Sequence, residues 1–173
     1  MNISIKLSVA LSCLVAIAST VNAQDRVEPK SVFMNVGMGF QGNRFNTSTW
    51  RPSINANIDY ALLKNTTIGL QGNYYGEQIA KDSRFNSYAL GLRSSYYFNS
   101  VVKRDDKRVS YYAGIGVMYY KYSYSDFEAT KGKVYIPLHI GARTLFYDSY
   151  GAIVELGFND MQSIKIGFTW ILN

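Results

Sequence analysis

The residues best suited to chemistry are seven ionisable side chains that recur on the polar face of an alternating sequence. They are Arg51, Asp59, Arg93, His139, Arg143, Glu155 and Lys165. Alternate residues of a β-strand point to opposite faces, so these side chains are predicted to share one face of a sheet. Such a set could gate a passage or hold a proton-linked ligand. The preferred interpretation is an interior charge network that satisfies itself, because buried charges must be paired in any case.

Within this set, Glu155 and Lys165 are predicted to be direct cross-strand neighbours. If the last two strands pair across the short turn at 159–161, the register places Glu155 opposite Lys165, where a direct ion pair can form. The same reasoning across the turn at 147–149 places Glu155 beside Gly141. The sequence therefore predicts an acid held between bases from several strands.

The single histidine, His139, is the natural candidate for a catalytic base. Nucleophilic catalysis needs a base, a nucleophile and an orienting acid within hydrogen-bonding reach. The same-face neighbours of His139 on its own strand are Pro137 and Gly141, so no serine is predicted beside it. One histidine and one cysteine also give poor support to a metal site. The preferred interpretation of His139 is a structural histidine. The protein is expected to have no enzymatic activity, no metal and no cofactor.

Eight runs of alternating residues must position these side chains. They span 32–40, 50–62, 67–74, 87–98, 109–119, 134–146, 151–158 and 164–172. Each run has about the length that a tilted strand needs to cross a bilayer, roughly 9–11 residues. The fold class predicted is all-β, an eight-stranded antiparallel up-and-down barrel.

The composition of the two faces distinguishes a membrane barrel from a soluble sandwich or lipocalin-like barrel, which also alternates. The polar face carries few Lys and Glu residues, and aromatic residues collect at strand ends on the apolar face, as at the two interfaces of a bilayer. Small residues on the polar face would leave room inside a narrow barrel. Ten of the fourteen glycines lie there: Gly37, Gly39, Gly69, Gly91, Gly114, Gly116, Gly141, Gly151, Gly157 and Gly167.

Residues 1–23 have the three parts of a secretory signal peptide. Lys6 precedes an apolar stretch at 7–18, and Val21-Asn22-Ala23 forms a small-residue cleavage site. Cleavage there would leave a barrel domain at 24–173. The formal charge of +6 does not indicate a nucleic-acid partner, because the basic and acidic run at 103–108 is typical of a solvated turn.

The final strand resembles the assembly signal of bacterial outer-membrane proteins. Lys165, Gly167, Trp170 and Leu172 fill the polar, glycine and hydrophobic positions of that signal, although Asn173 replaces the usual terminal aromatic residue. With its leader and eight runs, the chain is similar to small OmpA/OmpX-type barrels of the outer-membrane β-barrel domain family. The resemblance implies location in the outer membrane of a Gram-negative bacterium and contact with the barrel-assembly machinery.

The resemblance says little about function, because such barrels host unrelated activities. A structural or surface-interacting protein is expected. A narrow, porin-like channel for small or hydrophobic solutes is the alternative, and a lipid A-modifying enzyme is less favoured. Three polar segments are expected as extracellular loops that could contact a protein or glycan: 42–49, 76–84 and 123–132. Outer-membrane lipid and lipopolysaccharide are expected partners, since Lys121 has outward parity near the outer rim.

Overall fold

The computed structural model describes residue 27 and residues 29–40, 52–78, 84–98, 109–124, 127–147, 149–158 and 160–172, with the backbone alone at 124 and 127–131. The predicted signal peptide, the loop at 42–49 and Arg51 lie outside these residues. The strands are β1 (Val32–Phe40), β2 (Pro52–Leu63), β3 (Thr66–Gln78), β4 (Arg84–Tyr97), β5 (Val109–Tyr124), β6 (Phe127–Tyr135), β7 (Leu138–Leu145), β8 (Tyr150–Phe158) and β9 (Ile164–Leu172).

These strands close into one antiparallel barrel. Consecutive strands pair around the sheet except β6 and β7, which both pair with β5, and β1 pairs with β9 from Val32 opposite Leu172 to Phe40 opposite Ile164. We call the end that holds Val32 and Leu172 the termini end, and the opposite end, with the β3–β4 and β5–β6 hairpins, the hairpin end. The predicted fold class is confirmed.

The sixth predicted run, 134–146, is divided into β6 and β7 by Pro137. Both segments pair with β5 in a single register, with Met118 opposite Tyr135 and Ile115 opposite Leu138. Proline has no backbone N–H to donate, so the ladder is interrupted there although the chain direction continues. Nine strand segments therefore make an eight-stranded barrel.

The barrel exterior is apolar and the interior is largely polar. Large hydrophobic residues are exposed around the outside, including Leu90 at 64% and Phe168 at 61%. Asparagine, serine, threonine and charged side chains are buried inside. A soluble barrel would bury its apolar face instead, so this distribution excludes the soluble alternative and is the one expected of a barrel immersed in lipid.

Two aromatic clusters, which the alternation does not predict, occupy the two ends of the interior. The hairpin-end cluster consists of Tyr75, Phe85, Ala89, Met118, Tyr120 and Met161, with Tyr122 and Tyr135 packed against it. The termini-end cluster consists of Val27, Phe33, Ala61, Tyr97 and Tyr112, with Ile171 packed against it. The polar belt that contains the predicted charges lies between the two clusters.

Strands extend into two of the predicted extracellular loops. Residue pairing continues to Gln78 opposite Arg84 in the β3–β4 hairpin and to Tyr124 opposite Phe127 in the β5–β6 hairpin. The predictions at 76–84 and 123–132 were therefore wrong in extent. Backbone pairing does not require a hydrophobic alternation, and alternation is lost where a hairpin has no single buried face.

Candidate functional site

Glu155 is the centre of the buried polar belt. Its Oε1 accepts hydrogen bonds from Arg93 Nη2 at 2.6 Å and from the Tyr112 hydroxyl at 2.9 Å. Its Oε2 lies 3.3 Å from Arg93 Nη1 and 3.5 Å from Lys165 Nζ. Lys165 stands directly opposite Glu155 in the β8–β9 ladder, as the predicted register requires. Side chains from three other strands, β4, β5 and β9, thus meet at the Glu155 carboxylate on β8.

Two further acids complete the network on either side of Glu155. Asp59 Oδ1 lies 3.5 Å from Arg93 Nε, and Asp59 Oδ2 accepts a 2.7 Å hydrogen bond from Asn57 Nδ2. On the other side, Asp160 Oδ2 lies 2.7 Å from Lys165 Nζ. Among the charged side chains described inside the barrel, the acids Asp59, Glu155 and Asp160 equal the bases Arg93, Arg143 and Lys165 in number. The network can therefore be neutral without an external ion.

Asp160 is the member of this network that sequence reasoning missed. It lies in the turn between β8 and β9, where strand parity assigns no face. In the structure the turn folds inward over the barrel mouth, so Asp160, Met161 and Gln162 are buried. Gln162 Nε2 donates a 2.6 Å hydrogen bond to Ser53 Oγ, which anchors the turn to β2. The sequence feature that could have revealed this position is an acidic residue in the short turn that precedes Lys165.

Arg143 is buried apart from the other charges, in the termini-end cluster. Its guanidinium carbon lies 4.1 Å from the Phe33 ring centroid, 5.4 Å from that of Tyr97 and 5.9 Å from that of Tyr112. Aromatic faces attract a cation at these distances. The Tyr112 hydroxyl also reaches Glu155, so this aromatic residue connects the cage around Arg143 to the central network.

His139 has a serine neighbour, contrary to the sequence-based prediction. Its Nε2 lies 2.8 Å from Ser95 Oγ on β4. Both residues pair with Gly114, which stands between them on β5. A Cβ atom at Gly114 would lie 2.5 Å from the imidazole, so the missing side chain is what permits the contact. The prediction was wrong because it considered only neighbours on the same strand.

Glycine plays the same spacing role elsewhere in the interior. Gly141 separates Tyr112 from Glu155, and a Cβ there would lie 2.6 Å from the Tyr112 ring. No glycine among the described residues has a positive φ, so conformational freedom does not explain their positions. They leave room for larger side chains on neighbouring strands, as predicted for a narrow barrel.

The Ser95–His139 contact leads to a specific prediction. Ser95→Ala is expected to shift the imidazole nitrogen resonances of His139 and to reduce unfolding stability by about 1 kcal/mol, since one neutral hydrogen bond is lost. The chain has one histidine, so nitrogen NMR reports on this ring without ambiguity. Unchanged resonances would contradict the contact, and Ser94→Ala, a change at the adjacent part-buried serine, serves as the control.

The structure brings Asp59, Arg93, Glu155 and Lys165 into direct contact. His139 adjoins them through Ser95, whose Oγ lies 3.4 Å from Arg93 Nη2. This arrangement fills the middle of the barrel and holds its strands together across the lumen. Over the part of the chain that is described, no group of three or more metal-ligating residues occurs, and no helix has the length and apolarity that a membrane crossing requires.

The residues of the predicted assembly signal are divided between the inner and the outer face of the barrel wall. Lys165 is buried in the network, and Gly167 stands opposite Gly37 where β9 meets β1. Trp170 and Leu172 are exposed on the apolar exterior. Their role in assembly remains a prediction.

Comparison with known proteins identifies the fold. No family model matches the sequence, and no curated protein matches it. Among solved structures, the chain is similar to the N-terminal β-barrel domain of Pseudomonas aeruginosa OprF, with 12% identity over 83% of this chain and 98% of that one and a TM-score of 0.56. It is also similar to Neisserial surface protein A, with 13% identity over 86% and 96% and a TM-score of 0.53.

A third similar structure is Ail, the attachment invasion locus protein of Yersinia pestis, in complex with the heparin analogue sucrose octasulfate. It shares 12% identity over 83% of this chain and 96% of that one, with a TM-score of 0.53. At these identities the comparisons show the fold alone. The chain has the OmpA/OmpX-like fold of eight-stranded outer-membrane β-barrels.

Proposed function

We propose that this chain is an integral outer-membrane barrel that contacts extracellular protein or glycan through the β5–β6 hairpin. The supporting observation is the geometry of that hairpin. β5 pairs with β4 as far as Phe85 opposite Tyr124 and with β6 as far as Tyr124 opposite Phe127. Within the described residues, β6 pairs with no strand other than β5. A strand edge with a single partner strand is a surface that an extended segment or a glycan can approach.

The chemistry of the β6 edge favours a selective contact. Lys133 is exposed on β6. A lysine on an edge strand discourages indiscriminate pairing with other strands and attracts anionic groups. Ail is an attachment invasion locus protein, and its structure was solved in complex with a sulfated sugar. These properties of a protein with the same fold support attachment as the class of function, with acidic protein segments and sulfated glycans as the first ligands to test.

Shortening the hairpin should remove this activity and leave the barrel intact. In the proposed variant, an Asn-Gly turn joins Tyr122 to Lys131, which face each other in the ladder. Cells displaying the wild type are expected to bind immobilised heparin or an immobilised acidic peptide, and cells displaying the variant should bind at the level of cells without the protein. Equal binding by both, with folding verified by heat-modifiable gel mobility, would refute the assignment to this hairpin.

The channel alternative receives no support from the interior. Aromatic clusters occupy both ends, and the charged network crosses the middle. Refolded wild-type protein is therefore expected to give no discrete conductance steps in planar bilayers, because an eight-stranded barrel is filled by its own side chains. Regular steps at a fixed amplitude, absent from protein-free bilayers, would contradict this prediction and restore the channel interpretation.

Outer-membrane location, export by the leader at 1–23 and assembly through Lys165, Gly167, Trp170 and Leu172 belong to the same proposal. The apolar exterior supports a lipid environment. No catalytic function is proposed, because the Ser95–His139 pair faces a filled interior and a lipid substrate would approach from outside.

A further inference from the structure

The turn between β8 and β9 reaches across the barrel mouth to the opposite wall. Its residue Met161 is buried in the hairpin-end cluster, whose other members lie on β3, β4 and β5. In the ring of strands, the junction of β3 with β4 is the one farthest from the junction of β8 with β9. We call residues 160–163, which make this crossing, the strap.

Two interior glycines make room for the strap. A Cβ at Gly39 would lie 2.2 Å from Gln162 Cδ, and a Cβ at Gly157 would lie 2.2 Å from the Gln162 carbonyl oxygen. Gln162 is fully buried, and the Ser163 N–H donates a 3.0 Å hydrogen bond to the Phe40 carbonyl oxygen. The inward conformation of the strap is therefore accommodated by the shape of β1 and β8.

Asp160 connects the strap both to the interior charges and to β6. Its Oδ2 lies 2.7 Å from Lys165 Nζ. Its Oδ1 accepts hydrogen bonds from the Tyr135 hydroxyl at 3.1 Å and from the Met161 N–H at 2.6 Å. Tyr135 is the last residue of β6. One carboxylate thus links the charged network to the edge strand of the hairpin.

This link lies beside a weak point in the barrel wall. The Gly116 N–H donates a 2.9 Å hydrogen bond to the Pro137 carbonyl oxygen, but Pro137 has no N–H with which to return a bond. Glycine contributes no side chain to stiffen this pair. β6 lies beyond it and, among the described residues, pairs with β5 alone. Strand pairing therefore leaves the position of β6 relative to the opposite rim weakly determined.

We propose that Asp160 is a positioning residue, which holds β6 over the barrel mouth through Tyr135. The strap supplies a contact from the far side of β6, where the described strands supply none. The negative charge makes this contact effective, because a hydrogen bond to a carboxylate is roughly twice as strong as one between neutral groups. When the contact is broken, β6 moves away from the opposite rim. The inference concerns the hairpin of the proposed function but stands without it, since the position of β6 can be measured with no ligand present.

The test measures two distances across the refolded full-length barrel by pulsed electron spin resonance. Cys13, the one native cysteine, is changed to serine, and spin labels are attached through Val134→Cys on β6 and Ile54→Cys on β2. A reference pair combines Ile54→Cys with Ile140→Cys on β7, on the other side of the break at Pro137. All three labelled positions are exposed on the outer face, and β2 lies opposite β6 and β7 in the ring. Each pair should give one narrow distance distribution.

Tyr135→Phe removes only the hydroxyl that meets Asp160. The displaced fraction of β6 is expected to rise about tenfold, the effect of losing a hydrogen bond to a charged group. This change should appear as longer distances between positions 134 and 54, with no change between positions 140 and 54. Asp160→Ala should have at least the same effect. An unchanged 134–54 distribution in both variants would overturn the proposal.

Tyr112→Phe is the matched control, because it also breaks a hydrogen bond from a tyrosine hydroxyl to a carboxylate, that of Glu155, but in the termini-end cluster. It should reduce stability without moving β6. Equal displacement of β6 in Tyr112→Phe and Tyr135→Phe would indicate general loosening and refute the positioning role. Heat-modifiable mobility confirms that every variant is folded. Binding to immobilised heparin is measured separately, so failure of the attachment function and failure of this inference give different results.

Discussion

Gly167→Val is expected to prevent the barrel from closing. Gly167 on β9 faces Gly37 on β1, where the last strand meets the first. A Cβ at Gly167 would lie 2.4 Å from the Val36 carbonyl oxygen and 2.7 Å from the Gly37 α-carbon. These are backbone atoms, which cannot move aside without breaking the ladder. We expect no heat-modifiable folded band when the variant is refolded from urea into detergent micelles or lipid.

Two companion variants separate the loss of close strand packing from damage to the predicted assembly signal, to which Gly167 belongs. Gly37→Val should fail in the same way, since its Cβ would lie 2.2 Å from the Ile166 carbonyl oxygen, and Gly37 is not part of the predicted assembly signal. Gly72→Val should fold, because its Cβ points outward into open space and valine favours strands. If Gly167→Val folds as readily as Gly72→Val, close approach at the β1–β9 seam is not required for closure.

Glu155→Ala is expected to reduce the free energy of unfolding by roughly 3–5 kcal/mol, the usual cost of removing one partner of a buried ion pair. The substitution leaves Arg93 with Asp59, at the longer distance of 3.5 Å, as its one carboxylate among the described residues, and removes one of the two acids that contact Lys165. The Tyr112 hydroxyl also loses its acceptor. Urea unfolding in micelles, followed by tryptophan fluorescence, measures this loss. An unchanged midpoint would contradict the central role of Glu155.

A paired substitution distinguishes the loss of compensation from the loss of packing. In Arg93→Met with Glu155→Leu, both charges are removed, and Lys165 keeps its 2.7 Å contact with Asp160. Asp59 loses its 3.5 Å contact with Arg93 but keeps the hydrogen bond from Asn57. This double variant should be more stable than Glu155→Leu, which fills the same space but leaves Arg93 without the Glu155 carboxylate, because replacing a buried pair by apolar side chains costs less than leaving one charge alone. Equal stability of the two variants would show that the neutrality of the pair does not matter.

The parts of this structure that follow strict alternation could be predicted from the sequence. Strand number, the apolar exterior and the Glu155–Lys165 register depend on a period of two and on short turns, both of which are local properties. The inward position of Asp59, Arg93, His139, Arg143 and Glu155 follows from the same parity.

The features that were missed depend on distance across the barrel. Ser95 and His139 meet because Gly114 lies between them, and the strands that bear them are not adjacent in the sheet. Asp160 turns inward because Lys165 lies beneath it, which strand parity cannot indicate for a residue in a turn. Tyr75 and Tyr120 are aromatic residues on the otherwise polar face. A rule that identifies the inner face by its polarity therefore does not predict that they form a cluster inside the barrel.

The Arg93–Glu155 contact has a consequence for the order of folding. These residues are 62 positions apart along the chain and lie on strands that are not neighbours in the sheet. Their contact requires the intervening strands to be in place, so the β8–β9 hairpin alone can pair Glu155 with Lys165 but cannot give Arg93 a carboxylate. A partly formed sheet inserted in lipid would expose the Arg93 charge to hydrocarbon. Insertion and closure must therefore be concerted, with the inner surface kept hydrated until the final strand joins the first.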